Sequence, residues 1–324
     1  MRATAIAPSN IAFIKYWGNL DQELRLPYNA SLSMTLDACT TTTTVAFEAG
    51  LEGDVVDVDG RALDATGTAR VTAQLDRVRA LSGIAQHARV TSANAFPMGT
   101  GIASSASAFA ALTLAATRAA GLDLAERELS ALARCGSGSA ARSVPGGFVL
   151  WHAAPTHEGS FAESLAPPEH WDLRDIVAVV SRAHKAVGST SGHELATTSP
   201  FFAPRLFGLH ARLDAVRNAV LARDLAALGP LVEAEALELH AVAMTSQPPL
   251  RYWAPATIAL LDCVVRWRAD GLPAYFTLDA GPNVHLLCEG AHADELERLV
   301  RALPEVVDAY HNRPSVGAHP VAAP

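Results

Sequence analysis

A segment rich in glycine and serine is the first candidate for chemistry. It reads PMGTGIASSAS from residue 97 and places Gly99 and Gly101 just ahead of Ser104 and Ser105. Glycines let the backbone curl with successive N–H groups pointing inward, and the start of a following helix adds unpaired donors and a positive dipole end. Such a loop binds phosphate. On these residues alone, a glycine turn capped by serine is an equally good interpretation, because the segment matches neither common nucleotide-binding pattern.

The two lysines are the second candidates, because the chain has so few. Of its 25 basic residues only Lys15 and Lys185 are lysine, and the other 23 are arginine. A bias of the coding sequence toward arginine accounts for the 23. A lysine that remains can place a compact ammonium against a phosphate or a carboxylate. We therefore take both lysines as candidate binding residues.

Helices and strands must position these residues, and the pattern of apolar residues predicts where they lie. Alternation and β-branched residues predict strands within 41–59 and 274–289, at 87–96, from 146, at 175–181 and at 305–310. Helical spacing predicts helices at 70–81, 104–121, 124–134, 255–269 and 293–302, and long helices within 204–244. Because strands and helices are grouped rather than strictly alternating, we expect an α+β sandwich in each half of the chain.

A loop-like stretch near the middle of the chain marks the expected domain boundary. Residues 154–171 read APTHEGSFAESLAPPEHW, with two adjacent prolines and scattered acids. We therefore predict an N-terminal domain over 1–170 and a C-terminal domain over 171–324. Residues 311–324 are rich in proline and alanine, and we expect them to be loose.

The composition excludes several classes of protein. The 324 residues (34.0 kDa) are 50% hydrophobic with a mean hydropathy of +0.17, which excludes wholesale disorder and suffices for two buried cores. The formal charge is −8 without any basic run, so nucleic acid is not an expected partner. Apolar stretches fall short of the ~20 residues of a membrane span, and we find no export signal, so we expect a soluble protein with no membrane association.

The four cysteines are far apart in the sequence, at Cys39, Cys135, Cys263 and Cys288. They form no CxxC pair and therefore predict neither a zinc site nor a set of disulfides. Free thiols are typical of a reducing compartment, so we expect a cytoplasmic protein.

The glycine- and serine-rich segment resembles the central PxxxGLxSSA motif of the GHMP kinase superfamily, with Ile102 in place of leucine. Within that superfamily the chain is similar to the diphosphomevalonate decarboxylases on five segments in family order. They read APSNIAFIKYWGN from residue 7, NAFPMGTGIASSAS from 94, GSGSAARSVPGGFVLW from 136, VGSTSGH from 187 and FTLDAGPNVHLL from 276. The resemblance implies a two-domain α+β fold, with an N-terminal domain like domain 2 of ribosomal protein S5, a ferredoxin-like C-terminal α/β sandwich, and the site between them.

The reaction that this resemblance implies requires ATP and Mg²⁺. The γ-phosphate passes to the 3-hydroxyl of a mevalonate that carries a 5-diphosphate or 5-phosphate. Loss of the new phosphate together with CO₂ then leaves isopentenyl diphosphate or isopentenyl phosphate. An enzyme of this kind is an ATP-dependent carboxy-lyase of the mevalonate route to isoprenoids.

The resemblance also implies roles for individual residues. Asp279 matches the aspartate that accepts or orients the hydroxyl proton, Lys15 an active-site lysine, and Arg142 the arginine that binds the substrate carboxylate. The alternative interpretation of Asp279 is a cap of the DAGPN turn at the end of a strand, and Arg142 taken alone is more typical of a surface ion pair. The candidate substrate-binding residues are Tyr16, Trp17, Gly18, Asn19, Arg70, Ser137, Gly138, Ser139, Ala140, Ala141, Arg142 and Thr190. The candidate nucleotide-binding residues are Pro97, Gly99, Gly101, Ser104, Ser105 and Ser189, of which Ser105 is also a candidate Mg²⁺ ligand. No role follows for His193, Lys185 or His240.

Asn19 departs from the family pattern, in which a lysine that binds the 5-diphosphate usually follows YWG. A neutral amide cannot offset the added charge of a terminal phosphate. Mevalonate 5-phosphate is therefore a second candidate substrate, unless a nearby arginine replaces the missing lysine. Gly188 and His193 also stand where the family commonly has serine and methionine.

Two other functions stay open on the sequence alone. A kinase that phosphorylates the 3-hydroxyl and stops there would keep the phosphate loop and release no CO₂. A catalytically silent relative that binds a metabolite or a protein would have lost the aspartate or the loop glycines, and this chain has lost neither. Members of the family are often homodimers, and we expect a homodimer here, although nothing in the sequence marks the interface.

Overall fold

The computed structural model describes residues 1–96, 104–183 and 187–321. The strands are β1 (Arg2–Ile14), β2 (Asn19–Asp21), β3 (Leu26–Pro27), β4 (Ser31–Glu48), β5 (Val55–Val58), β6 (Arg61–Ala62), β7 (His87–Asn94), β8 (Phe148–Trp151), β9 (Ala162–Ala166), β10 (Leu173–Val179), β11 (Tyr275–Thr277), β12 (Val284–Glu289), β13 (Asp308–Asn312) and β14 (His319–Val321). The helices are α1 (Ala65–Ser82), α2 (Ser104–Ala119), α3 (Glu126–Gly136), α4 (Ser189–Leu195), α5 (Phe202–Ala222), α6 (Leu225–Met244), α7 (Pro255–Ala269) and α8 (Gly290–Arg301), with short 3₁₀ turns at Gly138–Ser143, Pro168–His170 and Ala196–Thr198.

Two long antiparallel strands form the centre of the first sheet. β1 and β4 pair from Arg2 opposite Ala46 to Ile14 opposite Leu32. The threonines of 40–44 favour this extended backbone, because branching at Cβ restricts the side chain and suits a pleated surface. The sheet order is β14-β1-β4-β7-β5-β6, with β8 and β9 added beside β4. The carboxyl end of β1, at Ile14, is buried in the interior of the protein.

Helix α2 packs against this sheet through small side chains. Its alanines, among them Ala110, Ala111 and Ala115, are fully buried in the core shared with β1 and β4. Small residues let the helix axis approach the strands closely. The helix begins at Ser104, and its first turn has backbone N–H groups without intrahelical partners. Because the buried alanines hold α2 on the sheet, they also determine where its N-terminal end lies.

The second sheet has helices on both faces. Its strand order is β11-β12-β10-β13, all antiparallel. In β10, Val177 and Val179 pack with α5 and α6, whereas Ile176 and Ala178 pack with α7 and α8. This alternation follows from the two-residue period of a strand that is buried on both sides. The α+β fold expected in both halves is confirmed.

The chain end differs from the sequence expectation. Residues 311–324 were expected to be loose, but β14 pairs with β1, with Thr4 opposite Val321. The hydroxyl of Thr35 also donates to the carbonyl oxygen of Ser315 over 2.7 Å. The prediction was wrong because the open edge of β1 offers backbone partners that a proline- and alanine-rich composition does not reveal.

The chain crosses from the first sheet to the second near the expected domain boundary. β9 ends at Ala166 in the first sheet, and β10 begins at Leu173 in the second. The division at residue 170 stays a prediction, since β14 returns to the first sheet. In the described residues, none of the helices has the length and apolar character needed to cross a bilayer.

Candidate active site

A cavity of about 410 Å³ lies between the two sheets with their helices. Residues from both halves of the chain line it, which places the end of β1 opposite α4, α6 and the segment after β11. The predicted site residues that line it are Lys15, Tyr16, Trp17, Arg70, Ser104, Ser105, Ser137, Gly138, Ser139, Arg142, Ser189, Thr190 and Asp279. Residues almost 270 positions apart in the sequence thus converge on one space large enough for a small phosphorylated molecule.

Lys15 and Asp279 form an ion pair in the wall of the cavity. Lys15 Nζ lies 2.8 Å from Asp279 Oδ1, with the lysine side chain 1% exposed and the aspartate side chain 21% exposed. Burial alone would raise the pKa of Asp279, but the charge and the hydrogen bond of the Lys15 ammonium, with the charge of Arg142, hold that pKa below its usual range. Burial lowers the pKa of Lys15, although Asp279 opposes this effect. The pair therefore presents an ionised carboxylate at neutral pH.

Arg142 is buried in the same wall without a carboxylate partner among the described residues. Its Nε donates to Asn10 Oδ1 over 3.1 Å, and its Nη1 donates to Ser31 Oγ over 2.9 Å. Burial lowers the pKa of Arg142 to about 10, although Asp279 and Tyr16 oppose this, so the side chain stays charged at neutral pH. Because both of its hydrogen-bond acceptors are neutral, this buried guanidinium has no direct ion-pair partner among the described residues, which favours binding of an anion.

A second cationic group lies where α1 faces the turn between β2 and β3. Arg70 Nη2 lies 3.4 Å from the Gly136 carbonyl oxygen, and Arg25 Nε donates to the Cys135 carbonyl oxygen over 3.0 Å. Desolvation in the cleft and repulsion from Arg25 lower the pKa of Arg70. In the part of the chain that the structure describes, neither guanidinium has a carboxylate partner. Arg25 was not singled out from the sequence, because one arginine among 23 carries no signal.

Asn19 is engaged within the protein. The Tyr16 hydroxyl donates to Asn19 Oδ1, and Asn19 Nδ2 donates to Gln22 Oε1 over 2.7 Å. Asn19 is 5% exposed and is not among the described residues that line the cavity. Its amide therefore holds Tyr16 in place instead of offering a charge to a ligand.

His193 packs against the same segment from the other half of the chain. Its ring stacks on Tyr16 at 4.0 Å between centroids and lies 4.7 Å from Trp17, and its Nδ1 accepts the Gly18 N–H over 2.9 Å. Gly18 has φ +97°, and a Cβ there would lie 2.8 Å from Phe202. No role of His193 was predictable from the sequence, because only the fold brings α4 onto this turn.

The three serines of the predicted substrate and phosphate segments lie side by side. Ser105 Oγ is 3.1 Å from Ser137 Oγ, which is 3.4 Å from Ser139 Oγ. A row of hydroxyls between the start of α2 and the 3₁₀ turn at 138–143 offers donors to phosphate oxygens. This arrangement joins two sequence segments that are more than 30 residues apart.

Gly138 is required by close packing against Tyr16. A Cβ at Gly138 would lie 2.5 Å from the Tyr16 hydroxyl oxygen, and Tyr16 is itself confined by the rings of Trp151 and His193. Gly138→Ala is therefore expected to displace Tyr16 and to raise the KM for the phosphorylated substrate roughly tenfold. Steady-state kinetics measure this, with Gly208→Ala as the control, since a Cβ at Gly208 meets open space. Equal KM values for both variants would contradict the role of Tyr16.

Other predicted residues are either not described by the structure or do not line the cavity. Pro97, Gly99, Gly101 and Lys185 fall outside the described residues. The side chains of Ala140 and Ala141 are fully buried in core clusters and do not line the cavity.

His240, which received no role from the sequence, lies against Asp279. Its ring packs against Tyr252 and Trp253, and burial together with the charge of Lys15 lowers the pKa of His240 to about 3. His240 is therefore neutral at ordinary pH.

The fold and the lining of the cavity together indicate the class of protein to which this chain belongs. A helix start with serines on one α+β layer, facing an acidic residue from a second α+β layer, is the arrangement of a GHMP-type phosphotransferase. Family comparison narrows this class. The model described as diphosphomevalonate decarboxylase-like N-terminal domain matches residues 7–162, and that of the mevalonate 5-diphosphate decarboxylase C-terminal domain matches residues 175–318. The chain belongs to the diphosphomevalonate decarboxylase family, as its motifs predict.

Individual relatives agree along nearly the whole chain. The phosphomevalonate decarboxylase of Haloferax volcanii is 36% identical over 93% of this chain and 92% of its own length. The diphosphomevalonate decarboxylase of Homo sapiens is 37% identical over 86% of this chain and 75% of its own length. Among solved structures, MDDEF in complex with MVAPP, AMPPCP and magnesium has a TM-score of 0.94 at 37% identity, covering 100% of this chain and 99% of that one.

Proposed function

We propose that this protein catalyses the ATP-dependent decarboxylation of a 5-phosphorylated mevalonate, by way of phosphorylation of the 3-hydroxyl. The observation that carries the proposal is that one cavity holds the Lys15–Asp279 pair and Arg142, which has no direct ion-pair partner among the described residues. A single small molecule that carries a hydroxyl and a carboxylate can contact both. The named relatives are decarboxylases, which favours complete reaction over a kinase that stops after phosphorylation.

The residues present fit ATP and Mg²⁺ as cofactors. The start of α2 offers the Ser104 and Ser105 hydroxyls and the N–H groups of its first turn to phosphate, with Ser189 across the cavity. The described residues contain no cluster of histidine, cysteine or acidic side chains for a metal ion, which agrees with an Mg²⁺ held largely by nucleotide phosphates and a serine such as Ser105. When bound, Mg²⁺–ATP supplies the phosphoryl group and the charge neutralisation for its transfer.

Each half of the proposed site has a task in the reaction. The ionised Asp279 accepts or orients the proton of the 3-hydroxyl, and Lys15 keeps that carboxylate in position. Arg142 binds the substrate carboxylate, while Arg70, Ser137 and the neighbouring hydroxyls bind the 5-phosphate end. As the 3-phosphate leaves, the electrons of the bond to the carboxylate form the new carbon–carbon double bond and CO₂ departs.

The direct test follows both products at once. Purified protein with ATP, Mg²⁺ and either phosphorylated mevalonate is expected to release ADP and CO₂ in equal amounts. ADP without CO₂ would identify a kinase that stops at the 3-phosphate. Absence of both products with both substrates would identify a silent relative and refute the proposal.

A second candidate substrate is mevalonate 5-phosphate, and the setting of Asn19 favours it. Its amide is engaged by Tyr16 and Gln22, so the position supplies no cation for a terminal phosphate. The Haloferax volcanii relative is named a phosphomevalonate decarboxylase. Arg25 and Arg70 line this side of the cavity and are the cations that we assign to the 5-phosphate end.

Asn19→Lys tests this substrate preference. An added ammonium near the 5-phosphate end is expected to raise the ratio of kcat/KM for the diphosphate over the monophosphate by roughly 10- to 100-fold, the effect of one charge-assisted hydrogen bond. Gln22→Ala is the control, because it frees the Asn19 amide without adding charge. A ratio that is the same in the wild type and in Asn19→Lys would show that position 19 does not read the terminal phosphate.

We also propose that the enzyme is a cytoplasmic homodimer with no nucleic-acid partner. Four buried free thiols and a net charge of −8 support the compartment and the absence of nucleic acid. Phe207 on α5 is 94% exposed and is the position that we choose for testing such an interface. Sedimentation of the wild type and of Phe207→Ser tests the dimer.

A further inference from the structure

The main chain of Lys15 is bound by an ion pair from α5 and α6. Glu235 Oε2 accepts the Lys15 backbone N–H over 2.9 Å. Arg205 Nη2 donates to the Lys15 carbonyl oxygen over 3.0 Å and to Glu235 Oε2 over 2.9 Å. Both polar groups of the Lys15 backbone are therefore held by the same two side chains.

This ion pair lies in the interior of the protein. The side chains of Arg205 and Glu235 are 2% and 0% exposed, and Arg212 also donates to Glu235 Oε1. Removing such charges from water is unfavourable, and apolar residues of the same volume often give equal or greater stability. Stability alone therefore does not account for a carboxylate at this position, whereas a requirement for accurate placement of Lys15 does.

The location of Lys15 in the chain explains why its backbone needs these partners. The pairing of β1 with β4 ends at Ile14, so the next residue is beyond the ladder of strand hydrogen bonds. Asn29 Nδ2 also donates to the Lys15 carbonyl oxygen over 3.0 Å. Glu235, Arg205 and Asp279 all come from the second half of the chain. The ion pair thus sets the position of Lys15 relative to the carboxylate that its ammonium must reach.

The charges around Lys15 come from several elements. Burial lowers the pKa of Lys15, the carboxylates of Asp279 and Glu235 raise it, and Arg142 lowers it. His240, on α6, is neutral and adds no charge. Glu235 therefore acts on Lys15 in two ways, through a backbone hydrogen bond and through its negative charge.

We propose that Glu235, together with Arg205, is a positioning residue that fixes the Lys15 main chain so that the ammonium stays against Asp279. The effect of this positioning on turnover rests on the proposed function. Its effect on the pKa and proton exchange of Lys15 does not, so the positioning role and the proposed function can be refuted separately.

The scarcity of lysine makes a direct measurement possible. Lys15 and Lys185 are the only lysines, so protein labelled with ¹³C,¹⁵N-lysine gives two side-chain signals, which Lys185→Arg assigns. Glu235→Gln keeps the volume and one amide oxygen but removes the charge. We expect the titration midpoint of Lys15 to fall by about one pH unit and its ammonium protons to exchange faster. An unmoved midpoint with unchanged exchange would overturn the proposal.

Two further variants separate position from charge. Arg205→Gln removes a positive charge, so the midpoint of Lys15 is expected to rise, while proton exchange becomes faster as it does in Glu235→Gln. Glu238→Gln is the control: Glu238 lies on α6 with Glu235 and pairs with Arg212 of α5 over 2.6 Å, but no described contact joins it directly to Lys15. If Glu238→Gln changed the Lys15 signals as much as Glu235→Gln, the effect would be general and the proposal refuted. Arg205→Gln also decides the matter if Glu235→Gln fails to fold.

Steady-state kinetics of the same two variants test whether the position of Lys15 affects turnover. Glu235→Gln and Arg205→Gln are both expected to lower kcat about 10- to 100-fold with KM values within about threefold of the wild type, because an incorrectly placed group lowers turnover more than binding. The basic limb of the kcat profile should move to lower pH in Glu235→Gln and to higher pH in Arg205→Gln. Unchanged kcat in both variants of an active enzyme would refute the positioning role. A wild type that forms no product, with the expected lysine signals, would refute only the proposed function.

Discussion

Asp279→Asn is expected to lower kcat about 10³-fold for ADP and CO₂ alike, because loss of a general base typically removes 10²- to 10⁴-fold in rate. The variant keeps the shape of the side chain, but it loses the carboxylate that accepts the hydroxyl proton. It also leaves the ammonium of Lys15, buried to 1% exposure, without its partner at 2.8 Å. Both products are lost together because phosphorylation precedes the release of CO₂.

The measurement for Asp279→Asn combines turnover with a check of the fold. ADP and CO₂ are followed in the same reaction, and thermal unfolding and ATP binding are compared with those of the wild type. A folded, ATP-binding variant with at least a tenth of the wild-type CO₂ release would contradict the assignment. Retained ADP formation with loss of CO₂ would instead place Asp279 in the decarboxylation step alone.

The pH dependence gives a second expectation for the same pair. The pKa of Asp279 is below its usual range, so the activity of the wild type should persist into moderately acidic solution and fall only as pH drops through that lowered pKa. The pKa of Lys15 is also lowered, so activity should fall on the basic side earlier than an ordinary lysine would allow. The acid limb should be absent from the residual activity of Asp279→Asn.

The sequence predicted the helices and strands well where one physical signal dominated. The Ala/Leu run from Ser104 predicted α2, and the β-branched run at 41–45 predicted part of β4. The helical run at 204–244 divides at Arg223, whose φ of +57° ends α5, and Asp224 then caps α6. The position of β14 was not predictable, because pairing with the edge of β1 is a long-range contact that leaves no local pattern.

The same reasoning applies to the candidate site. Asp279, Lys15 and Arg142 were predicted from motifs, and the structure brings all three to one cavity. Arg25 and Glu235 were missed because their importance comes from the groups that surround them after folding. A glutamate in a long Ala/Leu helix looks like an ordinary surface residue until the fold buries it completely.

Arg142→Gln is expected to lower kcat/KM for the phosphorylated mevalonate by roughly 30- to 5000-fold, which corresponds to the ~2–5 kcal/mol lost when one member of a buried charge pair is truncated. Asn10 and Ser31 bind Nε and Nη1, and their positions suit a guanidinium plane. Arg142→Lys keeps the charge but cannot make both hydrogen bonds and still reach a ligand, so it should recover only part of the loss. KM for ATP should change little in either variant.

A substrate analogue separates the carboxylate contact of Arg142 from a general effect on the site. An analogue in which the carboxylate is replaced by a neutral alcohol cannot form the charged contact, so it is expected to bind the wild type and Arg142→Gln equally weakly. For the natural substrate, the wild type and Arg142→Gln should differ by the full loss in kcat/KM given above. The opposite result is that Arg142→Gln weakens binding of the analogue by the same factor as binding of the substrate. Arg142 would then support the packing around Asn10 and Ser31. Another cation of the cavity would have to bind the carboxylate.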